Sequence, residues 1–240
     1  MESPASIPRS AWRNFGLLLT LGIISVSLWV FISLTNHVVG GTKHETEAKI
    51  MRVLRTPEDL AQPIGPRWLK LTSLDITALG SAPVLLLVTT LVVGYLLLDR
   101  KFTPAILIVC STASGAVMSN LLKQIINRDR PNIVPHLAEV TGQSYPSGHS
   151  MLSSVVYLTL AVVLAQIVTS RRGKVYILAS AILIIVMVGI TRVFIGVHYP
   201  TDVLAGWCAG TVWALLVWLA ASHLQHRGMV ERGPATRSRG

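Results

Sequence analysis

Six stretches of this chain are each apolar for long enough to cross a bilayer as a helix, and any fold it adopts has to accommodate them. Crossing the hydrocarbon takes about 20 mostly apolar residues. Such windows run over Phe15–Thr35, Leu79–Leu98, Phe102–Leu122, Ser150–Thr169, Val175–Ile195 and Asp202–Ser222. Lipid offers no partner to a backbone amide or carbonyl, so these windows predict helices. The expected fold class is all-α: a polytopic membrane bundle of six helices. Across 240 residues, 51% are hydrophobic and 13% charged, a balance that excludes an ordinary soluble domain. The third window carries STASGAVMSN, small and hydroxyl residues that suit close helix packing. The first window follows Arg9 and Arg13 as a signal peptide would. Its apolar run is too long for one and no small-residue cleavage site follows, so it predicts a retained helix. Cys110 and Cys208 both fall inside spans and indicate no disulfide framework.

Basic residues in short loops set orientation. The tight linker with Arg100 and Lys101 and the linker with Arg171, Arg172 and Lys174 fall on the same side, which predicts cytoplasmic N- and C-termini. Residues 1–14 are then a cytoplasmic N-terminus, 15–222 the membrane domain, and 223–240 a basic, disordered cytoplasmic tail. The outer segment 37–78 mixes charges of both signs. Ile50, Val53 and Leu54 at helical spacing suggest an interfacial amphipathic helix there, with a solvated loop as the alternative.

With this topology three polar clusters reach the outer face: KQIINRDRP (Lys123–Pro131), YPSGHS (Tyr145–Ser150) and TRVFIGVHYPTD (Thr191–Asp202). Singly, each has an ordinary explanation: a cation snorkelling at a helix end, a structural histidine, a turn before a helix. Together, Lys123, Arg130 and Arg192 join His149 and His198 at the edge of a low-dielectric slab. Cations there repel one another unless an anion sits between them. Ser147, Gly148 and His149 open a helix, where unpaired amides favour an anion, and Gly148 lets the backbone approach it closely. Phosphate fits. His198 and Asp202 are four residues apart, a spacing that lets the carboxylate orient one imidazole nitrogen and leave the other as a nucleophile. His149 remains as a proton donor. Arg128, in the same loop, is a candidate headgroup contact, and Asp129 a candidate partner for it.

At these residues the chain resembles the type 2 phosphatidic acid phosphatase superfamily, whose signature reads K-x6-R-P, P-S-G-H and S-R-x5-H-x3-D. Here the parts are Lys123, Arg130 and Pro131; Pro146, Ser147, Gly148 and His149; and Thr191, Arg192, His198 and Asp202, with threonine replacing the first serine. The six spans point to the family's integral-membrane branch. The resemblance implies a metal-independent phosphatase in which His198 attacks phosphorus, His149 protonates the leaving oxygen and Asp202 supports His198. Lys123, Arg130, Ser147, Gly148 and Arg192 would bind the phosphoryl group. It implies a bacterial inner-membrane enzyme whose site faces the periplasm or exterior. The substrate would be a lipid phosphate or diphosphate such as undecaprenyl diphosphate, phosphatidylglycerophosphate, phosphatidate or a lipid A phosphate. Membrane lipids are the other expected partners, with no nucleic acid, no metal and no cofactor. Two alternatives stand beside this. A metal hydrolase would use the two histidines and the aspartate, against the repulsion of three cations. A non-catalytic lipid-phosphate or anion transporter would need ionisable residues along a path through spans that are nearly free of them.

Overall fold

The protein is described from a computed structural model covering residues 9–41 and 45–226, with side chains described for 15–41 and 45–223. The tail beyond residue 226, with Arg227, Arg232, Arg237 and Arg239, lies outside the described residues, as do residues 1–8. Among the described residues the helices are α1 (Arg9–Val39), α2 (Glu45–Val53), α3 (Arg67–Ala78), α4 (Ala82–Leu98), α5 (Phe102–Ile126), α6 (Gly148–Ile167), α7 (Arg171–Phe194) and α8 (Pro200–His226). Helices α1, α5, α6, α7 and α8 are each long and apolar enough to span a membrane, and α3 with α4, bent by 50° at their break, counts as a sixth when the pair is taken as one broken span.

That bent span corrects the expected window Leu79–Leu98. Helix α4 has 17 residues, about 25 Å at the usual rise, short of a hydrocarbon core of about 30 Å. Helix α3 supplies the remainder across the break at Leu79–Ser81. Two features stabilise the break. Tyr157 of α6 donates its hydroxyl to the Leu79 carbonyl at 2.8 Å, satisfying a group that the bend releases. Gly80 lies so close to its neighbours that a Cβ there would meet Val188 Cγ1 at 2.4 Å and the His149 carbonyl at 3.2 Å.

Helix α6 is the axis of the bundle: 56% of its span window is buried, against none of α1's. Leu85 and Leu96 of α4, Ala105 and Ile108 of α5, and Val156, Leu160 and Val163 of α6 form one apolar core. The small residues of α5 do face inward. Ser111, Gly115 and Ser119 are buried alongside Ala105 and Ile108, and Ser111 shares a 2.9 Å hydrogen bond with Thr159 of α6. Between α6 and α8 the approach is closer still. A Cβ on Gly206 would meet the Ser147 carbonyl at 2.8 Å, and one on Gly210 the Met151 carbonyl at 2.5 Å. Lipid supplies no hydrophobic drive to join helices, so this backbone-to-backbone fit supplies the packing energy instead.

Segment 37–78 contains helix α2, which packs on the bundle through one apolar and one acidic residue. Helix α2 buries Glu47 and Met51, whereas Ile50 and Val53 are exposed. Leu54, Leu69, Leu74 and Leu137 pack on Phe194, Ile195 and Val197, closing the end of the bundle where α7 turns into α8.

Replacing Gly210 by isoleucine is expected to separate α8 from α6. The contact is with backbone, which cannot move aside, so the loss should be at least about 2 kcal/mol. In detergent micelles the melting midpoint should fall by several degrees. An unchanged midpoint would contradict the close approach.

Candidate active site

Four helix ends meet at this closed end of the bundle. Helix α5 stops at Asn127, whose left-handed backbone (φ 48°) lets its amide bond the Lys123 carbonyl at 2.9 Å and turns the chain aside. Helix α7 stops at Phe194, and Gly196 (φ 84°) makes the turn that leads to His198. Helix α8 begins at Pro200, where the missing amide costs nothing and the ring's fixed φ suits a first helical residue.

The spacing of His198 and Asp202 puts them in contact. His198 Nδ1 lies 3.3 Å from Asp202 Oδ2, and both side chains are buried. On the far side of the ring, Arg130 Nη1 lies 3.4 Å from His198 Nε2. A guanidinium can only donate, so Nε2 is the lone-pair nitrogen and Nδ1 carries the proton that Asp202 accepts. Asp202 Oδ2 also accepts the Tyr199 amide at 2.9 Å, and Oδ1 accepts Arg128 Nη1 at 2.6 Å. Burial pushes His198 down to about 4, with Asp202 opposing the shift and Arg192 and Arg130 adding to it. The imidazole is neutral at ordinary pH and holds its lone pair in readiness.

Two of the cations are held by carbonyl oxygens. Arg130 donates through Nε to Gly142, through Nη2 to Thr141 and through Nη1 to Val197, at 2.9, 2.8 and 3.1 Å. Lys123 Nζ donates to the Gln143 carbonyl at 2.8 Å. The loop Thr141–Ser144 therefore fixes both cations, a role its sequence does not announce. Arg192, almost wholly buried, reaches Thr77 of α3 at 3.2 Å, while its Nε is buried with no hydrogen-bond partner. Such a donor is costly to leave unpaired unless something that binds there accepts from it. His149 lies within electrostatic reach of Arg192, His198, Lys123 and Arg130.

The predicted amide donors need one correction. The Ser147 amide is not free for an anion, because it donates to the Asp202 carbonyl at 2.9 Å. What remains is its hydroxyl, which accepts from Ser150 Oγ at 3.1 Å and keeps its own proton to donate. The amides of Gly148 and His149 begin α6, where a helix has no carbonyl to offer them. A Cβ on Gly148 would lie 3.5 Å from Lys123 Cε and 3.8 Å from Ser119 Oγ, with room to fit. Glycine is thus not demanded by packing here.

Arg128 is corrected as well. It was expected to reach a headgroup, but it is buried and ion-paired to Asp202 and to Glu47, the latter through Nη2 at 2.8 Å. Its guanidinium also lies 3.9 Å above the Tyr199 ring. Asp129 is exposed. Glu47 and Thr201 are the site residues that sequence reasoning missed. Glu47 accepts from the Thr201 amide at 3.2 Å and hydroxyl at 2.5 Å. Arg55, also missed, donates to the Phe194 carbonyl at 2.8 Å and so caps the end of α7. Among the described residues no three His, Cys, Asp or Glu side chains gather as a metal site would require.

Known proteins resemble this chain in sequence and in fold. A family model described as the PAP2 superfamily matches residues 104–225. The chain is 34% identical to phosphatidylglycerophosphatase B of Bacillus subtilis over 62% of its own length and 74% of the relative's. It is 33% identical to undecaprenyl-diphosphatase of Sulfolobus acidocaldarius, over 48% of its own length and 54% of that protein's. A crystal structure of a transmembrane PAP2-type phosphatidylglycerolphosphate phosphatase from Bacillus subtilis superposes with a TM-score of 0.69. That match has 26% identity and covers 90% of this chain and 98% of the other.

His198 has a folded-state pKa below its unfolded value of about 6.5, so the native protein binds fewer protons. The associated stability is present above pH 6.5 and is lost as pH falls towards 4, by about 3 kcal/mol in all. Unfolding of the micellar protein is expected to show this acid loss, and His198→Asn to show less of it. Equal acid sensitivity in both would contradict a buried neutral His198.

Proposed function

The chain belongs to the PAP2 superfamily, and on that premise we propose that His198 forms a phosphohistidine during hydrolysis of a lipid phosphate or diphosphate. One observation carries this proposal. His198 presents Nε2 as its lone pair towards Arg130 while Asp202 holds Nδ1–H.

A phosphoryl group entering between Lys123, Arg130 and Arg192 would meet that lone pair in line. The N–P bond forms as the bond from phosphorus to the leaving oxygen breaks, and His149 gives that oxygen a proton. Asp202 stays ionised and stabilises the positive imidazole. Water then attacks phosphorus, His149 takes its proton, the N–P bond breaks and inorganic phosphate leaves. The three cations, the Gly148 and His149 amides and the Ser147 hydroxyl stabilise charge on the transferring group without moving to do so. The unpartnered Nε of Arg192 suits one of its oxygens.

The chain is a multi-span membrane protein, and the site lies at one end of its bundle. An amphiphile whose phosphate sits at headgroup level is the substrate such a position suits. The relatives' names support undecaprenyl diphosphate and phosphatidylglycerophosphate, with phosphatidate as a third choice. The short basic linkers favour a bacterial inner-membrane setting with the site facing the periplasm or exterior.

A phosphate-release panel in micelles is the direct test. It should include undecaprenyl diphosphate, phosphatidylglycerophosphate, phosphatidate and a soluble monoester. A lipid should be preferred, and His198→Ala should lower kcat by about a thousandfold or more. Release at the wild-type rate by that variant would refute the nucleophile. Preference for the soluble ester would refute the lipid substrate. Gly148→Ala, which has room to fold, should keep the wild-type melting midpoint. Its activity should drop about tenfold to a hundredfold, because the new methyl intrudes where the anion approaches the backbone.

A further inference from the structure

We propose that Glu47 is a positioning residue for the reaction, acting through Arg128 and Thr201 on Asp202 and so on His198. The inference rests on the phosphohistidine proposal and concerns a residue outside its three motifs.

Helix α8 carries the catalytic aspartate in its first turn, so the geometry of that turn is the geometry of the site. Position 199, immediately before the helix, would ordinarily hold a serine, threonine, asparagine or aspartate whose oxygen accepts an early amide. Here it is Tyr199, which cannot do this. The two orphan amides are met in other ways. Asp202 reaches back to the Tyr199 amide at 2.9 Å, the second half of a capping box. Glu47, from another helix, accepts the Thr201 amide at 3.2 Å and the Thr201 hydroxyl at 2.5 Å. It thus supplies the missing cap and places a negative charge at the positive end of α8.

The other oxygen of Glu47 holds Arg128. Nη2 donates to Glu47 Oε2 at 2.8 Å, whereas Nη1 donates to Asp202 Oδ1 at 2.6 Å and to Thr201 Oγ1 at 2.8 Å. With the Tyr199 ring 3.9 Å beneath it, the guanidinium is gripped by two carboxylates and an aromatic face. Both carboxylates are buried. Two consequences follow. Arg128 fixes the rotation of the Asp202 carboxylate, leaving Oδ2 aimed at His198 Nδ1. Glu47 also shares the arginine with Asp202, so that Asp202 keeps negative charge to stabilise the imidazole when phosphorus binds it. Without Glu47 the full cation would bear on Asp202 and compete with His198 for it.

Glutamine in place of Glu47 keeps the shape but removes the charge. It also turns an amide NH2 towards either the Arg128 guanidinium or the Thr201 backbone amide, both of which only donate. In micelles, on whichever lipid phosphate the wild type turns over best, Glu47→Gln is expected to lower kcat about tenfold to a hundredfold. KM should change less than about twofold, because no contact to substrate is lost. In an Arg128→Ala background the same change should cost clearly less than it does alone, since the route through Arg128 has gone and only the cap on Thr201 remains to be lost. Unchanged kcat, a loss confined to KM, or full additivity with Arg128→Ala would each overturn the proposal. A second readout does not depend on turnover. In protein labelled with 15N-histidine, with His198 assigned through its loss in His198→Asn, the wild-type ring should carry its proton on Nδ1. Glu47→Gln should shift those nitrogen resonances, and identical spectra would overturn the proposal. A wild type inert on every lipid would defeat the phosphatase proposal alone, and the spectra would still decide the link from Glu47 to His198.

Discussion

The buried carboxylate of Asp202 is the interaction on which the functional end of this molecule depends. Its two oxygens receive His198 Nδ1, the Tyr199 amide and Arg128, while its backbone carbonyl receives the Ser147 amide. One residue thereby joins the start of α8, the start of α6 and the loop after α5. A carboxylate desolvated this completely is tolerated only where donors meet both of its oxygens. That requirement makes the surrounding geometry mutually dependent: displacing any one donor strands charge in a place that water does not reach.

The Asp202 carbonyl can bond the Ser147 amide only because α6 and α8 nearly touch, and they nearly touch because Gly206 and Gly210 have no side chains. Gly206 lies against the Ser147 carbonyl itself. Packing and chemistry share residues at this crossing. The glycines have no contact with the phosphoryl group in the proposed reaction, yet the orientation of the first turn of α6, with Gly148 and His149, follows from how close they let α8 come.

Local patterns made most of this legible. Apolar length disclosed the spans, because lipid leaves a crossing segment no option but helix. The paired spacings, His198 with Asp202 and Lys123 with Arg130, picked out residues that the structure brings to one end of the bundle, because each lies close to a helix end. Other features arise between segments far apart in the chain and leave no trace in either one. Glu47 precedes Thr201 by 154 residues and sits in a nine-residue helix whose neighbours Ile50 and Val53 suggested a different buried face. Arg128 looked like a surface cation because neither of its carboxylate partners is near it in sequence. The bend between α3 and α4 depends on Tyr157, a residue of α6. The cradle of carbonyls at Thr141–Gln143 is backbone chemistry, to which side-chain patterns are blind.

The directions of the helices explain why these charges can sit so close together. Antiparallel spans bring two C-terminal ends, of α5 and α7, and two N-terminal ends, of α6 and α8, to one face. A helix favours cations at its C-terminus and anions at its N-terminus. Lys123 and Arg192 stand in the last turns of α5 and α7, and Asp202 in the first turn of α8. Each charge is thus stabilised by the helix that carries it before any partner is counted. The first turn of α6 carries no acid of its own, so its positive end suits the anion of the proposed reaction. An arriving phosphate would therefore meet cations from two helices and free amides from a third. The fourth helix brings the carboxylate that turns His198 towards it.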